Sequence, residues 1–266
     1  MNPDSITHIL INGNHAFAQI QQVLWVMLRI GALLMVMPML GTHAVPMSIR
    51  AGLAVVLSVV LSPLLPFSAT LNHWQASTFL AVAREIAIGA TLGFLLRLIF
   101  ESASLAGEWV AQGTGLAFAQ MNDPLRGGHA GVLGQWFYLL FGLLFFASNG
   151  HLALIALLLD SYHALPIGHH WPDLNRLLAW VPHLAGHVFA SALTLALPLM
   201  VTMLAVNLAF GVLARAAPTL NPMQLGLPVT VLLGLFFLTL LTADMALPVQ
   251  RFLHNTLTAM RQVTLP

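Results

Sequence analysis

Long stretches of this chain carry no charge. Between Arg50 and Arg84 there is no Asp, Glu, Lys or Arg, and the same holds for Arg126 to Asp160, Arg176 to Arg215 and Arg215 to Asp244. Each gap exceeds the roughly 20 residues that cross a bilayer as a helix. The pattern predicts apolar helices near 17–40, 51–66, 78–100, 131–159, 183–213 and 226–248. Helix is the default because lipid cannot satisfy open backbone groups, and the alternation of a barrel strand is absent. The expected fold class is an all-α integral membrane protein of about six long, partly kinked helices.

Several of these helices do not suit a plain crossing. At about 1.5 Å per residue, 183–213 would run roughly 45 Å, past a hydrocarbon core of about 30 Å. Pro198 sits in its middle and is expected to kink it. The 131–159 run is interrupted at Ser148, Asn149, Gly150 and His151, and 51–66 is short and ends on Pro63 and Pro66. Such helices need cover from protein or a water-filled cavity. Residues 206–229, VNLAFGVLARAAPTLNPMQLGLPV, predict a hairpin. A long helix ends near Arg215, Pro218 and Pro222 prevent its continuation, and a second begins by about 226. Arg215 at a helix C-terminus complements the helix dipole. At 249–263, Val249, Phe252, Leu253, Leu257 and Met260 share one face, while Arg251, His254, Asn255, Thr258 and Arg261 lie on the others. That is an interfacial or partner-binding amphipathic helix.

Composition makes the membrane reading firm. The chain has 266 residues, 59% hydrophobic and 6% charged, with mean hydropathy +0.88, against about 25% charged in soluble domains. A net charge of +1 argues against a nucleic-acid partner. There is no Cys, which excludes disulfide and thiol chemistry. The first residues lack the basic region of a cleaved signal peptide, so the first apolar segment is expected to be retained. Arg251 and Arg261 follow the last acid, Asp244, which favours a cytoplasmic C-terminal end.

The candidate chemistry is thin. In 101–124, ESASLAGEWVAQGTGLAFAQMNDP, Glu101, Ser104, Glu108 and Gln112 form a polar helical stripe. Ala103, Gly107 and Ala111 form a stripe of small residues that permits close helix contact. Gly113, Gly115 and Asp123-Pro124 predict a loop beyond it. This suits a wall that lines water, the plainer alternative being a re-entrant or surface loop. Arg29, Arg84, Glu85 and Arg97 lie inside spans, where charges usually face an interior. Arg97 and Glu101 are spaced to pair, with snorkelling the competing reading. His183 and His187 have metal-ligand spacing near His169-His170, but HLAGH lacks the Glu of zinc proteases, and buried or interfacial histidine is the better reading. No GxSG-like turn appears. Asp160 and Asp244 form an acid dyad only in principle, so no enzyme, cofactor or metal site is expected. A standalone transporter should show repeated halves and charges converging at mid-depth; no repeat is visible.

These segments together resemble the FliR family of membrane subunits of the bacterial flagellar type III export apparatus. Asn207, Leu208, Ala209, Gly211, Arg215, Ala217, Pro218, Leu220 and Asn221 are similar to its Asn-Leu-Ala…Gly…Arg…Ala-Pro-x-Leu-Asn signature. NGHLALIALLLDSYHALPIG at 149–168, GEWVAQGTGLAFAQMNDP at 107–124, and Arg29, Pro38, Val45, Pro46 and Arg50 resemble further family segments in the same order. Asp244 and the stretch between Pro166 and Arg176 match no family motif.

The resemblance implies a subunit of an export gate built with FliP-like and FliQ-like proteins in the bacterial inner membrane, at the flagellar basal body. FlhB-like and FlhA-like components and the transported flagellar proteins would be further partners. It implies a FliP-like part over 1–180, with a plug loop near 113–124, and a FliQ-like hairpin with an amphipathic helix over 181–266. Gly115, Leu116, Phe118, Ala119, Asp123 and Pro124 would obstruct the closed pore, with Glu101, Glu108 and Gln112 as lining. Asn207, Gly211, Arg215, Pro218 and Asn221 would be the hairpin and assembly motif. The second reading is the equivalent injectisome subunit, SctT, and the third a standalone transporter.

Overall fold

The structure is a computed structural model. It describes residues 3–41, 45–65, 76–117, 131–167, 174–216, 222–244, 247, 249–251, 254 and 258. Among these residues the fold is all-α: α1 (Pro3–Val36), α2 (Met47–Leu61) with a 3-10 turn at Ser62–Leu64, α3 (Ala76–Thr114), α4 (Val132–Ala147), α5 (Gly150–Ala164), α6 (Leu174–Ala216) and α7 (Pro222–Asp244). Among the described residues four helices are long and apolar enough to cross a membrane, and α4 with α5 makes a fifth span if the broken pair counts as one.

The helix ends differ from the hydropathy reading because backbone chemistry sets them. Helix α1 begins at Pro3, a residue whose missing N–H costs nothing in a first turn. It stops before Pro38, which disfavours helix at the residue ahead of it. The apolar run near 78–100 and the polar helical stripe at 101–112 form one helix, α3, of 39 residues ending at Thr114. Gly113, expected in a loop, is therefore helical. The turn comes at Gly115, whose φ of +77° a side chain would resist. Helix α6 extends over 43 residues and continues through Pro182 and Pro198, about 65 Å at 1.5 Å per residue. The break expected at 148–151 is present. Asn149 takes φ +57°, and any side chain at Gly150 would run into the Phe145 ring.

The chain divides into two units that interleave in sequence. Unit one is Met1–Arg97, Leu152–Leu178 and Leu257–Pro266; unit two is Leu98–His151 and Ala179–Thr256.

In unit one, α1 packs on α2 and on the first part of α3. Gly89 and Gly93 make the second crossing possible. A Cβ on Gly93 would lie 2.7 Å from the Leu33 carbonyl oxygen, and one on Gly89 would overlap the Arg29 carbonyl. This is a small-xxx-small contact that lets two backbones touch. Val26, Ile30, Leu92 and Leu96 fill the surrounding core.

In unit two, the later part of α3 packs on α4. A Cβ on Gly107 would sit 2.5 Å from the Leu133 carbonyl oxygen, so these backbones also touch. Ala103 and Ala111, its partners in the predicted small stripe, are buried. Above the crossing, Phe100 stands edge-on to Tyr138, Phe141 and Phe145, with centroids 5.4, 5.1 and 5.7 Å away. Such T-shaped pairs are the preferred aromatic geometry.

Candidate functional site

The polar stripe on α3 divides once folded. Glu101 and Gln112 are exposed, Ser104 is buried, and Glu108 is partly covered. The Glu108 Oε1 accepts a hydrogen bond from the backbone N–H of Gly131, at the start of α4. Gly131 has no side chain with which to cap that helix. A carboxylate there satisfies an orphan donor and lies at the positive end of the helix dipole. The reach depends on the Gly107 crossing and on Gly134, where a Cβ would come within 2.6 Å of Glu108 Oε1.

The far end of α3 is held by α6 and α7. Asn207 Nδ2 donates to the Gly113 carbonyl oxygen at 3.1 Å, one of the last carbonyls of α3, which have no partner in their own helix. Thr114 is buried and fills the space opposite Gly234 of α7. The Met203 Cβ stands 3.6 Å from where a Gly113 Cβ would be. Thus Glu108, Gly115 and Asn207, assigned to different groups in sequence, all act around the termini that flank residues 118–130.

The other sequence-predicted residues are placed as follows. Leu116 is partly covered. Gly211 and Arg215 are exposed on α6, and Arg215 is in its last turn as expected. Phe118, Ala119, Asp123, Pro124, Pro218 and Asn221 lie outside the described residues. Arg97 is exposed, and His183 and His187 are exposed on α6, while His169 and His170 lie outside the described residues. Among the described residues no group of three or more His, Cys, Asp or Glu could hold a metal ion. Of the predicted amphipathic segment, Val249 is buried and Arg251, His254 and Thr258 are exposed.

Sequence reasoning marked Arg29, Arg84 and Glu85 as interior charges but did not join them. In unit one they form a single buried cluster. Glu85 Oε2 accepts from Arg29 Nε at 2.8 Å, and Glu85 Oε1 accepts from the Arg84 guanidinium at 2.9 Å. Arg29 also donates to Ser161 Oγ at 3.1 Å and to the Leu165 carbonyl at 2.9 Å. Arg84 donates to the Pro166 carbonyl at 2.6 Å. The Arg29 guanidinium lies 4.0 Å over the Tyr162 ring, whose hydroxyl donates to the Val26 carbonyl at 3.0 Å. Two cations share one carboxylate, and both also donate to carbonyls just beyond the C-terminal end of α5, the negative end of that helix. A second residue gave little signal in sequence. Gln22 of α1 donates to the carbonyls of Ser62 and Leu65 at 2.6 and 3.2 Å, closing the end of α2. The available sequence clue for the α1–α3 crossing was the Gly89-x-x-x-Gly93 spacing.

Comparison with known proteins bears on the whole chain. Residues 20–256 match the family described as bacterial export proteins, family 1. The chain is 35% identical over 222 residues to the flagellar biosynthetic protein FliR of Pectobacterium carotovorum subsp. carotovorum, covering 84% of each. It is 37% identical over 211 residues to that of Escherichia coli strain K12, covering 79% of this chain and 80% of the relative. The similarity extends to Aquifex aeolicus, at 31% over 217 residues, 80% of this chain and 81% of the relative.

Proposed function

From the premise that this chain belongs to the bacterial export proteins of family 1, we propose that it works as the FliR-type subunit of a flagellar protein export gate. The chain is a multi-pass inner-membrane protein of the flagellar basal body and a component of the type III export gate that serves flagellum assembly. The observation that carries this is similarity over about four-fifths of proteins named flagellar biosynthetic protein FliR. Those names favour the flagellar over the injectisome system.

The finer reading is that the chain is structural rather than catalytic, and joins FliP-like and FliQ-like subunits in one pore for unfolded flagellar proteins. FlhB-like and FlhA-like components would act beside it. Residues 1–180 would be its FliP-like part and 181–266 its FliQ-like hairpin, with Gly211 and Arg215 facing assembly partners. The segment with Gly115, Leu116, Phe118, Ala119, Asp123 and Pro124 would obstruct the closed pore. What supports partner burial is an excess of apolar surface: α6 overshoots a bilayer core of about 30 Å and exposes Phe189, Leu193, Leu197, Val201, Leu204 and Leu208.

The test is co-purification of the tagged chain with the FliP-like and FliQ-like proteins of its own host, followed by native mass determination. A stable complex with this chain is the expected result. A homogeneous species of this chain alone, with those partners present but unbound, would leave the standalone transporter as the better reading.

A further inference from the structure

Helices α6 and α7 each meet the C-terminal end of α3 with a single turn. On α6 the turn is Met203 to Asn207, and on α7 it is Thr230 to Gly234. Residues four apart share one helical face, so each helix turns one face to Gly113, Thr114 and Gly115. Asn207 donates to the Gly113 carbonyl oxygen. The Thr114 hydroxyl turns back to Ala111 at 3.2 Å. That leaves its methyl group to fill the notch at Gly234, where a Cβ would run into Thr114 Cγ2 and lie 2.8 Å from Thr114 Cβ. Met203 is fully buried. Its Cε is 3.8 Å from where a Gly234 Cβ would be. Contacts of this kind fix register. One turn of sliding on α7 would bring Thr230 or Leu238 against Thr114, where the notch is absent. One turn on α6 would bring Met203 or Gly211 to the Gly113 carbonyl, and neither carries an amide side chain. Beyond the junction the support ends: α6 buries Ala192, Leu195, Ala196, Leu199 and Met203, but no residue from 204 to 216 is buried.

We propose that Asn207 and the Thr114–Gly234 contact lock the register of the α6–α7 hairpin on α3, and so set the height at which α6 presents Gly211 and Arg215 to an assembly partner. This rests on the reading that Gly211 and Arg215 face partner subunits. It makes Asn207 a positioning residue that acts on assembly through α3, inside the chain, rather than by touching a partner. Substitution chemistry separates these roles. Ala is a better helix former than Asn, so the strength of α6 itself predicts no loss in Asn207→Ala. Asn207→Asp keeps the side chain's size, but an ionised carboxylate has no N–H for the Gly113 carbonyl. Gly234→Ala presses a methyl group onto Thr114. Thr114→Gly removes both of the atoms that methyl would meet, so the two changes together move bulk from α3 to α7 and reopen the contact.

The chain has no Cys, so spin labels can be placed on the full chain at Gln112→Cys of α3 and Val212→Cys of α6, both exposed. Double electron–electron resonance then reads the distance between them. The same variants without labels are co-purified with the FliP-like and FliQ-like proteins of the host, and the recovered complex is counted by native mass. The labelled chain without further change should give one narrow distance. Asn207→Ala, Asn207→Asp and Gly234→Ala should each shift or broaden it. Each should lower recovery of the complex about fivefold, the factor by which one ordinary hydrogen bond shifts a two-state balance. Thr114→Gly combined with Gly234→Ala should return both readings toward wild type, a rescue that a general loss of stability does not give. An unchanged distance in Asn207→Ala and Gly234→Ala would overturn the proposal; if recovery fell all the same, Asn207 would act on a partner. A changed distance with full recovery would overturn it too, because the partners would not depend on the register. A wild-type chain that does not co-purify would remove the assembly reading, and this inference with it.

Discussion

Unit one and unit two solve the same problem with different chemistry. Helices in an apolar setting must close their ends without water, because each end leaves four backbone groups unpaired. Among the described residues, unit one uses donors. Gln22 closes α2, while Arg29 and Arg84 close α5, and the two guanidinium groups must then be balanced by Glu85. Unit two uses an amide and a carboxylate at helix ends, and its interior is aromatic rings and touching glycines. Donors at a C-terminus are favoured in both. Among the described residues only unit one carries charge into its core to supply them, so its packing depends on an electrostatic balance.

The largest expected effect tests that balance. Glu85→Gln keeps shape and removes the carboxylate that the buried Arg29 and Arg84 share. Breaking a buried ion cluster in this way costs about 3–5 kcal/mol, enough to abolish assembly of a marginally stable protein. The readout is recovery of the co-purified complex and its thermal unfolding. Replacing Arg29, Arg84 and Glu85 together by Met should recover part of the loss, since no uncompensated charge remains. Recovery would be incomplete because the Leu165 and Pro166 carbonyls lose their donors. If Glu85→Gln assembled like wild type, the claim that unit one is charge-dependent would fail.

A smaller effect belongs to shape in unit two. Gly107→Ala places a Cβ 2.5 Å from the Leu133 carbonyl oxygen and 2.6 Å from the Gly134 Cα. Both are backbone atoms that cannot swing aside, so α3 and α4 must separate. Overpacking of this kind costs about 1–3 kcal/mol. Separation also draws Glu108 away from Gly131, so Gly107→Ala should melt earlier. An Ala variant with unchanged melting would mean that the two helices slide freely, and the crossing would not be the fixed point of unit two.

The two units were unequally legible in the sequence. The all-α membrane fold and the break at 148–151 followed from charge-free runs and from an Asn-Gly pair, which are local signals. The small stripe Ala103, Gly107 and Ala111 was also readable, because helical spacing alone puts those residues on one face. The partners were not readable. Arg29 and Glu85 are 56 residues apart, and nothing near either one says which of the interior polar groups it will meet. Glu108 was read as part of a water-facing stripe because its spacing from Glu101 and Gln112 is regular. The fold separates them by bringing Gly131 to one of the three, which helical periodicity cannot anticipate. The end of α3 was legible to within two residues: the polar stripe was read as helical and Gly113 as the start of a loop, whereas the helix runs to Thr114 and the Gly113 carbonyl accepts from Asn207, 94 residues away.

The smallest effect returns to unit one and separates donor chemistry from charge. Gln22 donates to two carbonyls, but they do not depend on it equally. Ser62 O also accepts from the Leu65 N–H at 3.2 Å, so removing the amide leaves it a partner. Gln22→Leu should therefore cost about 1 kcal/mol, the ordinary net worth of one such hydrogen bond. It should shift the melting temperature without changing assembly. Gln22→Glu is the sharper comparison. Its side chain has the same length, but an ionised carboxylate has no hydrogen to donate and would face two carbonyl oxygens. It should be worse than Leu, although it adds a polar group where Leu removes one. Equal melting for Glu and Leu would show that the end of α2 is closed by packing alone, and unit one would then rely on donors only at the Arg29–Glu85–Arg84 cluster.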